Sequence, residues 1–457
     1  MKPRLLAASL LVCWLTMPAA SQQPAAPSTQ GASDRHVIVV SLDGFPAYML
    51  QDPKLPLPVL RKLIREGGVA DGMKPVNPTV TWPNHTAMVT GVNSARNGVI
   101  CNGLPVRVGD GKPIRVEPWT DQKVLVQART VYEAAHEAGL TTAEVDWVAI
   151  YRSAAVDWSF AERPHVDGTV EREMAQQGLI SEDDILSFAK SPITWMDDMW
   201  MRAAVYILER HRPNLLLVHL LTPDSVQYEY GARSLAAQTS LILADRQLQQ
   251  ILDAVERAGI QKQTTLLVVS DHGFTTFQHV ISPNALLRQK GLLKGEGGQI
   301  DCDAWVVVEG GTAMVYVTRE ARREATLQVL KEAFPSVQGI TKVILPDEYE
   351  QYGYPKIVPQ GRMADMVLVA APGYAFNGNT TGEVVSDVPA GARRGNHGYL
   401  NSDPDMNEIL VAWGAGIRPG SHTGLVPNID VAATIAHLLH VDWPESQGRP
   451  LQDLLEK

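Results

Sequence analysis

The chain has 457 residues, 45% of them hydrophobic and 20% charged, a balance that excludes a disordered or fibrous protein and allows a large buried core. Fifty acids against 40 Lys and Arg give a formal charge of −10, which disfavours nonspecific binding to nucleic acid polymer or anionic lipid, although bound metal can still make one pocket attractive to an anion. Three cysteines exclude a disulfide scaffold.

The chain opens Met1-Lys2-Pro3-Arg4, continues with a mostly apolar run over 5–17, and reaches Ala19-Ala20-Ser21, the charge, core and small-residue order of a secretory signal. Cleavage near Ser21 predicts a secreted or periplasmic protein and removes Lys2 and Arg4, taking the charge to about −12. The apolar run is short for a membrane span, and Val12 before Cys13 argues against a lipid anchor, so no stable membrane anchor is expected. Residues 22–35, rich in Gln, Pro, Ala and Ser, read as a flexible leader to a single catalytic domain over 36–457. A bridge between the remaining Cys101 and Cys302 is permitted in an oxidising compartment.

Apolar runs at 37–42, 215–221 and 264–270 end on or just before Asp43, Asp224 and Asp271-His272. They alternate with amphipathic stretches at 130–138, 199–210 and 235–258, which predicts an α/β fold with a mainly parallel sheet and helices on both faces. Such sheets gather ligands at the carboxyl ends of their strands, and oxygen and imidazole donors delivered there describe a metal site. Further strands are predicted at 304–308, 314–318, 366–370 and 408–413. A strand, strand, helix order at 305–308, 314–318 and 320–333 points to a small α+β cap inserted over roughly 277–390. The Pro- and Gly-rich stretch 371–395 reads as loop and pocket wall. Gly395-Asn396-His397-Gly398-Tyr399 adds a histidine in a glycine loop, and residues 432–439 read as a helix packing the sheet edge.

Asn77-Pro78-Thr79-Val80-Thr81-Trp82-Pro83-Asn84-His85 precedes a helical stretch ending at Gly91. Proline favours the first helical turn, so Thr81 falls at or just before a helix N-terminus, where the dipole favours an anion. From this segment alone Thr81 is either an attacking hydroxyl or a plain N-cap. His219, inside an apolar run, reads as a hydrogen-bonded core residue, and His85 as packing or support behind Thr81.

Asp43-Gly44-Phe45, Pro78 to His85, Gly98-Val99-Ile100-Cys101-Asn102, Asp224, Asp271-His272-Gly273 and His397-Gly398-Tyr399 together, in this order, resemble the nucleotide pyrophosphatase/phosphodiesterase branch of the alkaline phosphatase superfamily. The resemblance implies an alkaline-phosphatase-like fold and hydrolysis of phosphodiester or pyrophosphate bonds in nucleotide-like substrates. It implies that Thr81 is a nucleophile forming a covalent intermediate and that Asn102 donates to a nonbridging phosphate oxygen. It places one metal on Asp43, Asp271, His272 and Thr81 and a second on Asp224 and His397, usually zinc in both. Trp82 falls where an aromatic flanks the nucleoside, a packing role being the alternative.

One position departs from the pattern. Relatives carry a histidine four residues after the acid matching Asp224, and this chain has Tyr228. Spacing of four on a helix puts Tyr228 on the same face, as an uncertain third ligand, and a phenol with an ordinary pKa of about 10 is a poor one. The expectation is a two-metal enzyme, with a weak second ion or a nucleotide binder that has lost turnover as alternatives. Monoester or phosphonate hydrolysis on the same scaffold is the other rival. Oligomeric state is not legible.

Overall fold

The uninterrupted apolar runs form the middle of an eight-stranded sheet in a computed structural model that describes residues 34–358 and 361–457. The expected signal segment, and the expected leader up to residue 33, lie outside the described residues. Strands follow the order Ser421–Pro427, Gly68–Lys74, Leu410–Gly414, Thr264–Val269, His36–Leu42, Leu215–Leu220, Thr142–Val145, Trp158–Phe160. Leu410–Gly414 alone runs antiparallel to its neighbours, and the remaining pairs are parallel.

Both faces of the central strands are covered, which is why their sequences are continuously apolar rather than alternating. Ile38, Val40 and Leu42 face the helices Ile193–Arg210 and Leu235–Arg257. Val37 and Val39 face the helices Thr81–Thr90, Val131–Glu137 and Asp430–Leu439. The helix expected at 199–210 begins earlier, at Ile193, where Ile193, Trp195 and Met196 extend the packed face. Thr130 starts its helix with a capping box to Glu133.

Register sets the level of the site. Leu42 stands opposite Leu220, and Ser41 opposite Val269, so the chain leaves all three central strands at one height and releases Asp43, Asp224 and Asp271 on one edge. That edge is the carboxyl end of the parallel strands.

A separate four-stranded antiparallel sheet, in the order Ala304–Val308, Thr312–Val317, Met366–Ala370, Ile340–Ile344, packs against the helix Arg323–Ala333 through Leu330 and Ala333. The turn 309–311 of its first hairpin rests on the His397 loop, where Gly311 N–H donates to the His397 carbonyl at 2.9 Å. The stretch 371–395 contains two short strands, Tyr374–Phe376 and Val385–Asp387, that flank His279–Ile281. Part of its backbone is paired there. Cys101 and Cys302 are both buried and unbridged.

Candidate metal centre and nucleophile

Thr81 is the first residue of its helix, after an extended Val80. The side-chain oxygen of Asn102 accepts the Trp82 N–H at 2.9 Å, so its carbonyl caps the helix and its amide nitrogen is left for the cleft that Asn102 lines. The Thr81 hydroxyl lies 3.5 Å from His272 Nε2.

Asp43, Asp271 and His272 form one group able to hold a cation, and Asp224, His272 and His397 form another. His272 Nε2 is 3.3 Å from Asp43 Oδ1 and 3.2 Å from Asp271 Oδ2, and His397 Nε2 is 3.8 Å from Asp224 Oδ1. Each imidazole is oriented by its other nitrogen: His272 Nδ1 meets the Gly273 carbonyl at 3.0 Å, and His397 Nδ1 the Thr79 carbonyl at 2.9 Å. Both Nδ1 atoms are therefore donors, and the Nε2 lone pairs face the site.

Among the described residues, Asp43 Oδ1, Asp271 Oδ2 and Asp224 Oδ1 are buried without a hydrogen-bond partner. Burial first, then the neighbouring acids, push the Asp43 and Asp224 carboxyls above their usual range, while burial holds His272 near pKa 3 and His397 well below its ordinary value. Crowded acids with unpaired oxygens beside neutral imidazoles form a cluster suited to divalent cations. Mixed oxygen and nitrogen donors fit zinc or another transition metal.

The helix Thr222–Tyr230 carries Asp224 and Tyr228. The Tyr228 hydroxyl stands 2.5 Å from His397 Nε2 and so donates into the lone pair of that ring. Burial, then Asp224, push this phenol well above its ordinary value.

Thr81, Asn102, Trp82, Asp43, Asp224, Tyr228 and His397 line one cleft of about 290 Å³. It adjoins a cavity of about 510 Å³, the two sharing Trp82, Trp119, Val148 and Glu162. No residue of 371–395 lines the cleft, contrary to the wall expected there. Arg393, near His397 in sequence, pairs with Glu229 at 3.4 Å.

Sequence reasoning missed Trp119 and Glu162, joined by a 3.3 Å hydrogen bond, because nothing periodic marks either one. His219 is a buried, hydrogen-bonded residue as read, yet its partner is Asp43, which only the strand pairing brings beside it. His85 meets Ser41 and the Thr81 carbonyl, each at 2.9 Å.

The model of the type I phosphodiesterase/nucleotide pyrophosphatase family matches residues 37–400, and the chain belongs to that family of hydrolases acting on phosphodiester and pyrophosphate bonds. Mouse ectonucleotide pyrophosphatase/phosphodiesterase family member 7 is 22% identical over 91% of this chain and 85% of its own length. The cattle bis(5'-adenosyl)-triphosphatase ENPP4 is 21% identical, covering 90% of this chain and 80% of itself. A solved structure of an inactive variant of murine ENPP5 in complex with AMP superposes with a TM-score of 0.70 at 20% identity, covering 92% of this chain and all of that one. The fold is thus alkaline-phosphatase-like α/β, as expected.

Proposed function

We propose that the protein is a secreted or periplasmic, metal-dependent phosphodiesterase/nucleotide pyrophosphatase that cleaves nucleotide-like substrates through a covalent Thr81 intermediate. The observation that carries this reading is the Thr81 hydroxyl at a helix start beside a cluster of unpaired buried carboxylate oxygens. Asp43, Asp271, His272 and Thr81 would hold one divalent ion, zinc by its donor chemistry, and Asp224 and His397, with Tyr228 as the uncertain third ligand, a second. Bound there, such ions supply Lewis acidity that favours an ionised hydroxyl and offsets charge on the phosphoryl oxygens.

The chain's own residues do the rest. Thr81 Oγ1 forms a bond to phosphorus as the bond to the leaving oxygen breaks, and a water later cleaves the Oγ1–phosphorus bond and restores the hydroxyl. The Asn102 amide donates to a nonbridging oxygen, where charge builds in the transition state. Trp82 offers an aromatic wall to a base. The adjoining cavity favours a diester or pyrophosphate over a simple monoester, which would leave that space unused. Relatives whose names carry dinucleotide hydrolysis, and one solved with AMP, support the nucleotide class. A binder without turnover is the second reading, favoured by the Tyr228 hydroxyl seated on His397.

The test compares p-nitrophenyl thymidine monophosphate with p-nitrophenyl phosphate in wild type and Thr81→Ala, alongside metal content per chain. Preference for the diester and loss of at least about a thousandfold in Thr81→Ala are expected. Nucleotide binding with no Thr81-dependent product would establish the binder instead.

A further inference from the structure

We infer that His219, backed by Asp146, is a positioning residue that fixes how Asp43 presents its carboxylate to a metal ion; the inference rests on the metal reading above. His219 sits in the strand Leu215–Leu220, on the face shared by Leu215 and Leu217, where an aliphatic side chain would complete the packing. It is fully buried. Its Nε2 is 2.9 Å from Asp43 Oδ2, and its Nδ1 is 3.1 Å from the Asp146 carbonyl and 3.3 Å from Asp146 Oδ2. Both ring nitrogens face oxygens, so the ring is held at each end.

The consequence falls on Asp43. One of its oxygens is held by His219, while the other, Oδ1, has no hydrogen-bond partner among the described residues and lies beside His272 Nε2. The ring thereby selects a single oxygen for the cation. Asp146 keeps the ring from rotating away. This residue is wholly buried, has a left-handed backbone with φ of +57°, and among the described residues its carboxylate finds no hydrogen bond, with the His219 ring 3.3 Å away. A non-glycine residue persists in that conformation only where its surroundings over-determine it. Groups that orient a metal-binding side chain from behind are worth roughly 10- to 100-fold in metal affinity.

The test reads metal binding without substrate. Apoprotein in a His397→Ala background, which leaves the Asp43, Asp271 and His272 group whole, is titrated with cobalt(II) and followed by its visible absorption. His219→Leu is expected to weaken cobalt binding about 10- to 100-fold and to shift the band. His219→Gln, which keeps a donor toward Asp43, should recover most of the affinity, and Asp146→Asn should lose several-fold. Cobalt bound as tightly, with the same spectrum, in His219→Leu and Asp146→Asn while Asp43→Ala loses it would overturn the inference and leave the metal reading standing. Undiminished binding in Asp43→Ala overturns both. Should the leucine variant not fold, the near-isosteric Asp146→Asn decides alone.

Discussion

The imidazole rings of His272 and His397 lie face to face, with centroids 3.6 Å apart and planes 14° apart. Two stacked cations would repel, so the contact holds only while both rings are neutral, and burial keeps them so. Above the ordinary histidine pKa of about 6.5 these rings are neutral in both folded and unfolded chains and no longer influence the pH dependence of stability. The buried acids of the site act in that range.

Asp43 is raised by burial and by Asp271 to about 8, and Asp224 is raised in the same direction. A raised folded pKa contributes stability that is present below the unfolded value and lost as pH rises through the folded one. The metal-free protein is therefore expected to melt at progressively lower temperature from pH 6.5 to 8, and zinc to stabilise it more at pH 8 than at 6.5. Thermal melts with and without chelator check this; a flat or rising metal-free profile contradicts it.

A histidine at position 228, as the family resemblance implies, should free His397 for the proposed second ion. Tyr228→His removes the phenol from His397 Nε2 and is expected to raise turnover several-fold with saturating zinc, by speeding hydrolysis of the Thr81 intermediate. Stopped-flow traces should show an initial burst in wild type that shrinks in the variant. No gain in rate argues against this role for Tyr228.

Asn102 accepts the Trp82 N–H and, in the proposed mechanism, also donates to the phosphate. Asn102→Ala loses the oxygen that accepts the Trp82 N–H and the amide donor, which predicts a 10²- to 10³-fold fall in kcat, on the scale of an oxyanion-hole donor, with about 1 kcal/mol of destabilisation from the lost cap. Asn102→Asp keeps the acceptor alone. It should match the alanine variant in rate and wild type in denaturant midpoint.

Gly398 is a backbone requirement. Its φ is +78°, and a Cβ there would sit 1.6 Å from the Glu309 carbonyl oxygen. Gly398→Ala is expected to cost on the order of 1–3 kcal/mol from backbone strain alone, and to lower activity by displacing His397. Urea unfolding and steady-state rates on one preparation measure both effects.

Much of this arrangement was legible in the chain. Strands buried on both faces read as unbroken apolar runs, so Asp43, Asp224 and Asp271 stood out where those runs stopped. The spacing of four between Asp224 and Tyr228 survives because a single helix carries both. Pairings between strands were not legible: nothing near His219 reveals Asp43, since their contact depends on which strands are neighbours. Trp119, with a left-handed φ of +50°, and Glu162 lie outside any period, and only the folded chain brings them to the cleft. The wall expected from 371–395 does not line the cleft, and two short strands of that segment pair instead with His279–Ile281.

The His397 loop is gripped from two directions. Thr79 accepts from the His397 ring and from the Gly398 N–H at 3.0 Å, while Gly311, at the tip of the hairpin in the smaller sheet, donates to the His397 carbonyl. The smaller sheet is thus a buttress rather than an ornament. Trimming the protein to its larger sheet would take away the brace behind one imidazole, so any miniaturised version has to supply a substitute for that hairpin tip.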